Sequence, residues 1–325
     1  MMGTKRKSVR PAQRGAAILT AMLTVVLVAA LAASALWQQW RSVEVEAAER
    51  SRTQSAWVLT GALDWARLIL REDARKGGAD HLAEPWAVPL EQARLSTFLA
   101  ADRNDALAAE EAQDAFLSGQ IIDLQSRLNV ANLVQGGKVD EPSQRAFERL
   151  FEVLNLPASE LSVLTDHLRR AQASATALGS DLAVPLWPQQ LDDLAWLGVS
   201  QGTIARLRDY VTILPVPTPV NLNTAAAETI YASVAAFELA DANHLVRARA
   251  LTHLSSLAEA VKASGNAGAK LTEGQHSVAT RFFEIRGRLQ IEQTVVQEQS
   301  VVQRDGLAVK VLFRKRGVVD LSPLQ

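Results

Sequence analysis

A run of 21 residues without charge, glycine or proline, Ala16 to Leu36, constrains this chain more than any other feature. At 1.5 Å of rise per residue, a helix of about 20 residues crosses the roughly 30 Å hydrocarbon core of a bilayer. Thr20, Thr24 and Ser34 fit such a helix, because a helical hydroxyl bonds a carbonyl of the preceding turn. Lys5, Arg6, Lys7, Arg10 and Arg14 precede the run; Trp37, Trp40, Glu44 and Glu46 come after it. That asymmetry keeps the basic end in the cytoplasm and sends the bulk of the chain across the membrane. Two ordinary readings are an uncleaved anchor and a secretory signal peptide cut at Ala33-Ser34-Ala35. The apolar run is long for a signal peptide, and the residues after Leu36 read as helix rather than loop.

The formal charge divides near the same point. Over 325 residues, 34 Lys+Arg nearly balance 35 Asp+Glu, a net charge of −1. Removing the five cations of residues 1–15, which hold no acid, leaves −6 for residues 16–325. A chain that is 48% apolar and close to neutral is not disordered, and the balance excludes a generally basic nucleic-acid binder. There is no cysteine. Disulfide scaffolds, Cys-ligated zinc, iron–sulfur clusters and thiol nucleophiles are therefore excluded.

Gln13-Arg14-Gly15, with Ala16 and the apolar run directly after it, resembles the type IV prepilin signal. The resemblance implies a prepilin peptidase that cuts after Gly15 and methylates the new amine of Ala16. The apolar segment, Ala16 to Leu36, would then stay on the mature protein as an assembly helix. Most proteins with this signal carry Glu as the fifth mature residue, which pairs with the terminal amine of a neighbouring subunit. Here the fifth residue is Thr20. An intramembrane carboxylate is costly unless paired, and a subunit at a filament end has no subunit above it to pair with. The departure at Thr20 therefore implies a tip subunit.

From Ala12 to Glu84 there is no proline. Leu59, Ala62, Leu63, Ala66 and Leu70 fall at helical spacing, and the pattern predicts one helix from Ala16 to Arg75, about 90 Å long. Lys76-Gly77-Gly78 ends it. Ala115 to Leu133 predicts one or two strands, and Gly136-Gly137 breaks the pattern. Residues 140–280 read as helical, with leucine stripes at Ala146–Leu154 and Leu161–Leu168 and a last short helix opened by Thr272 and Gln275 and running through Phe283. Leu289 and Ile291, then Leu307, Val309, Val311 and Phe313, alternate as strands, and Asp305-Gly306 signals a hairpin. The order predicts an α+β fold: early and late strands share one antiparallel sheet against the long helix, with an all-helical insert between them.

Several segments together resemble one family, general secretion pathway protein K, the large minor pseudopilins of type II secretion. They are the leader junction, Trp57–Trp65, Asp123–Val134 (DLQSRLNVANLV), Leu207–Pro215 (LRDYVTILP), Thr218–Ala225 (TPVNLNTA) and the closing strands to Arg316-Gly317. The resemblance implies a pilin-like long helix packed on an antiparallel sheet, with a large helical insert. It divides the chain into a leader (1–15), a transmembrane and filament-core segment (16–36), a periplasmic helix with the first part of the pilin-like domain (37–134), a helical insert (135–283) and closing strands (284–325). It implies a non-enzymatic subunit of the bacterial inner membrane and periplasm. Its partners would be the prepilin peptidase, the I- and J-type minor pseudopilins and the pseudopilus, whose tip it caps and helps to initiate. Members often carry Asn where Ala131 stands. Calcium, which the resemblance would allow in the helical region, is poorly provided for. Asp166-His167-Leu168-Arg169-Arg170 has two arginines, and the next acid is Asp181, whereas calcium takes six to eight oxygens. No other cofactor or metal is implied. A minor pilin of a type IV pilus is the nearest alternative.

Rival chemistry is weaker. Gly198-Val-Ser-Gln-Gly202 matches the nucleophile elbow of hydrolases, which needs a buried strand before the serine. The preceding Gln190–Leu197 has helical leucine spacing and two acids, so a turn with Ser200 as N-cap explains the residues. The same turn and Val220–Ala225 suggest a helix-hairpin-helix DNA-uptake module, but the second glycine of the hairpin is Ser200, and the net charge opposes phosphate contacts. The histidines at 81, 167, 244, 253 and 276 show no metal-ligand spacing. Asn221 and Asn223 read as turn and cap residues around Pro219.

Overall fold

The computed structural model describes residues 14–96, 115–176, 185–266, 268–291 and 294–318. The chain divides into two units, Met1–Trp57 and Val58–Gln325. Helix α1 runs from Arg14 to Lys76. It stops where expected: Gly77 and Gly78 take φ of +64° and +112°, the left-handed region that glycine enters without a Cβ clash.

In the first unit α1 is exposed along nearly its whole length. Its apolar stretch is long and apolar enough to cross a membrane.

In the second unit five strands form one antiparallel sheet in sequence order: β1 (Leu90–Arg94), β2 (Ala115–Asp123), β3 (Phe282–Ile291), β4 (Thr294–Asp305) and β5 (Ala308–Val318). β2 and β3 pair from Ala115↔Ile291 to Asp123↔Phe283, although the whole insert separates them in sequence. Asp305 pairs with Ala308, so Gly306-Leu307 makes the hairpin turn, with Gly306 at φ +55°. Alternate strand residues face α1. Leu63, Ala66 and Leu70 pack with Trp86, Phe283, Ile285, Val302 and Val309; Leu59 packs with Leu117, Leu289 and Val296. The α+β architecture expected from the sequence is the one observed.

The insert has its own core. Its helices are α2 (Glu141–Val153), α3 (Ala158–Thr176), α4 (Gln201–Leu207), α5 (Ala227–Ser233), α6 (Leu239–Leu251) and α7 (Leu257–Ser264). Phe147, Leu150, Leu161, Leu164, Leu194, Ile230 and Leu245 are among its fully buried side chains.

Two local expectations are corrected. The strand from Ala115 ends at Asp123, not near Leu133. Asp123 and Asn129 each accept a backbone N–H two residues on and start a short 3-10 turn, and Leu128, Val130 and Leu133 enter the insert core. The helix expected from Thr272 through Phe283 is a single turn. The Gln275 carbonyl is taken by the Val220 N–H at 2.8 Å, His276 pairs with Val220, and Phe282 begins β3. Tertiary pairing overrides the local capping signal.

Candidate functional site

The N-terminal site residues lie on α1. Gly15 and Ala16 are in its first turn, and residues 1–13 of the leader lie outside the described residues. Thr20 is exposed, and its Oγ1 donates to the carbonyls of Ala16 (3.1 Å) and Ala17 (2.9 Å). The hydroxyl is therefore satisfied inside the helix. Thr24 and Ser34 do the same, to Ala21 and Leu31. The segment to Leu36 thus presents an uncharged surface with its polar groups bonded, as an apolar surrounding requires.

The second site is the seam between sheet and insert, where motifs far apart in sequence converge. Leu128-Asn129 pairs in parallel with Val211-Thr212, and Val220-Asn221 with His276-Ser277. Asp123, at the end of β2, is fully buried. Its Oδ1 accepts from the Gln125 N–H (2.7 Å) and the Thr280 hydroxyl (2.6 Å); its Oδ2 accepts from Asn221 Nδ2 (2.9 Å) and the Thr224 hydroxyl (2.6 Å). Burial pushes its carboxyl pKa up, against these four hydrogen bonds. Asn221 also donates to the Asp80 carbonyl at 3.1 Å. Asn223 is held to Leu254 in both directions, donating to its carbonyl and accepting from its N–H, each at 2.9 Å. Asn129 Nδ2 donates to the Val216 carbonyl (2.8 Å), and Asn132 exchanges bonds with the Thr218 backbone (2.8 and 2.9 Å). Asn221 and Asn223 are thus buried connectors as well as turn residues.

Arg304, near the end of β4, reaches the same seam. It donates to Asp73 Oδ2 (2.7 Å), to Asp80 Oδ1 and to the Thr280 carbonyl (2.9 Å), and lies 4.9 Å from the centroid of the Phe283 ring. Asp73, Asp80 and Glu84 could hold a cation between them. The Arg304 guanidinium already neutralises Asp73 and Asp80, and Glu84 accepts from Trp86 Nε1 and the His81 N–H. Burial raises the pKa of both aspartates.

In the Asp166 stretch the carboxylate is already paired with arginines. Asp166 is bound by Arg169 and Arg170, and Asp181 lies outside the described residues. The Gly198–Gly202 segment has no hydrolase geometry. A 3-10 helix, Leu191–Leu197, precedes it; Gly198 takes φ +91°, and Ser200 caps α4 by accepting from the Thr203 N–H. Sequence spacing missed one pair: the His81 and His253 rings stack at 4.0 Å.

Comparison with known proteins agrees with this geometry. Residues 126–216, which include most of the Asp123–Val134 motif, match the family model of type II secretion system (T2SS) protein K. The chain is 26% identical over 334 residues to the type II secretion system protein K of Pseudomonas aeruginosa, covering 95% of this chain and 94% of that one. It is 27% identical over 340 residues to that of Klebsiella pneumoniae, covering 94% and 97%. Its fold matches a chain of the crystal structure of the GspK–GspI–GspJ complex from the enterotoxigenic Escherichia coli type 2 secretion system. The TM-score is 0.62 at 15% identity, over 83% of this chain and 98% of that one. The family model, the two relatives spanning nearly the whole chain and the shared fold bear out the resemblance read from the motifs, to protein K of type II secretion.

Proposed function

We propose that the chain is the large minor pseudopilin at the tip of a type II secretion pseudopilus. There it assembles with I- and J-type minor pseudopilins, helps to initiate the filament and caps it. The observation that carries this reading is the apolar first half of α1 with Thr20 in place of a carboxylate, its hydroxyl bonded to Ala16 and Ala17. Such a helix can leave the bilayer for a bundle of like helices, because both surroundings are apolar. Without a carboxylate, it asks for no amine from a subunit above. The reading gives the chain a structural part and no reaction. It places a single-pass helix in the inner membrane, with the N-terminus cytoplasmic and Val58–Gln325 periplasmic.

Mass analysis of the protein purified from membranes tests the processing step. The expected N-terminus is methylated Ala16. An intact Met1, or a start after Ala35, overturns the reading.

A further inference from the structure

The seam leaves one cleft open. It holds about 630 Å³ and lies between the insert and the sheet face turned away from α1. Glu284 and Arg286 of β3, Gln299 of β4, and Phe313 and Lys315 of β5 line one side; Trp187 and Leu191 line the other. Glu284 is buried, and its oxygens are occupied: Arg286 donates from Nε at 2.7 Å and Nη2 at 3.1 Å, and Gln299 donates from Nε2. Asp192 is likewise occupied, by Arg208 at 2.6 Å.

Arg127 enters the same cleft from the turn after β2. It is half-buried, and among the described residues it makes no hydrogen bond or ion pair. The cleft therefore holds four cations, Arg127, Arg208, Arg286 and Lys315, against two carboxylates, both already engaged. Two of the four, Arg127 and Lys315, make no ion pair among the described residues, and Arg127 has lost part of its water. Burial lowers the pKa of Arg127, as partial desolvation of a cation does, while the charges of Glu284 and Asp209 act the other way. A guanidinium so placed is a fork for a carboxylate.

Most of the remaining lining is apolar, with Gln189, Gln190 and Thr212 the exceptions, and the space is far larger than one carboxylate needs. One wall belongs to β5, the last strand of the sheet, whose outer edge pairs with no strand among the described residues. An open edge offers backbone groups to an extended chain. We infer that this cleft seats an extended acidic segment of a partner polypeptide, with one carboxylate on Arg127, a second toward Lys315, and an apolar side chain between Trp187 and Phe313. The inference does not depend on the tip position proposed above, since it rests on the cleft alone.

The probe is a fluorescein-labelled octapeptide of alternating Glu and Val, titrated with the full chain in detergent micelles and read by anisotropy. Gln–Val and Lys–Val octapeptides serve as controls. The expected result is saturable micromolar binding of the Glu–Val peptide only, weakening as salt rises. Arg127→Gln should weaken it tenfold or more. Lys315→Gln, at an exposed strand position that does not threaten folding, should weaken it about threefold. Equal binding of the Gln–Val peptide, unchanged affinity in the Lys315 variant and in folded Arg127→Gln, or displacement by 10 mM acetate or inorganic phosphate would overturn the inference, the last by assigning the site to free anions.

Discussion

At the residue scale, Asp123 organises the seam. Four donors from three segments converge on one buried carboxylate. Asp123→Ala would leave one N–H of the Asn221 amide, whose other N–H goes to the Asp80 carbonyl, and the Gln125 N–H without an acceptor, while the two threonine hydroxyls can rotate. Unmade buried hydrogen bonds cost about 1–3 kcal/mol each, so the expected loss is about 2–6 kcal/mol. Thermal unfolding of the full chain in detergent measures it, and an unchanged Tm would show that the node carries little. His276 supplies a pH signature. It is buried; its Nε2 faces the Ser233 carbonyl at 3.2 Å, and its Nδ1 accepts from the Thr272 N–H at 3.2 Å. That arrangement needs the neutral ring, and burial lowers its pKa. The folded state therefore binds fewer protons than the unfolded one below about pH 6.5, the ordinary histidine value. Stability is fully present above that pH and is lost as pH falls through it. Tm should drop between pH 7 and 5, and the drop should be smaller in His276→Gln; identical slopes would exclude this histidine as the source.

At the element scale, the sheet's tightest point is a glycine pair. Gly119 of β2 faces Gly287 of β3. A Cβ on Gly119 would stand 2.9 Å from the Arg286 carbonyl oxygen, and one on Gly287 would stand 3.2 Å from Leu59 Cδ2. A backbone oxygen cannot swing aside as a leucine methyl can. Gly119→Ala should therefore cost about 1–3 kcal/mol and Gly287→Ala clearly less, by thermal unfolding; the reverse order would refute the packing argument. The elements themselves were largely legible. α1 announced its end through Gly77-Gly78, and its buried stripe through the spacing of Leu59, Leu63 and Leu70. Leucine stripes marked α2 and α3 for the same reason, since a helix buried on one face repeats its apolar residues every three or four positions. The seam was less legible. Leu128–Leu133 looks like a strand because its apolar residues are buried on every side, which erases the alternation that a half-exposed strand would show. The turn at Thr272 has a capping pattern, yet pairing with Val220 decides its fate. Arg127 carries no local signal: only the fold half-buries it beside Glu284 while Arg286 and Gln299 take that carboxylate's oxygens, which leaves Arg127 without an ion pair among the described residues.

At the scale of the whole molecule, the largest hydrophobic core among the described residues is the insert's, and it is inserted between neighbouring strands of the sheet whose own apolar clusters pack on α1. Beside the small apolar cluster of Leu124, Leu214 and Phe282, the seam between them carries a buried polar network, and that makes it specific: a buried amide or carboxylate tolerates one arrangement of partners, whereas an apolar contact tolerates many. The first unit obeys the opposite rule. From Ala16 to Leu36 every side chain is uncharged, and the hydroxyls of Thr20, Thr24 and Ser34 turn back on their own helix. Nothing there selects a partner by charge, so the segment can join a bundle without demanding a neighbour on both sides. Thr20→Glu would change that. A carboxylate within an apolar helix is destabilising by a few kcal/mol unless a cation meets it, and in a helical bundle the nearest candidate is another subunit's terminal amine. The variant should therefore be drawn into positions with a subunit above it. On the proposed tip position, its share at the filament end should fall, with a severalfold loss of secreted protein while the amount in the membrane stays constant. Secretion equal to the parent's, with the amount in the membrane unchanged, would count against the argument that the residue at position 20 sets an end position.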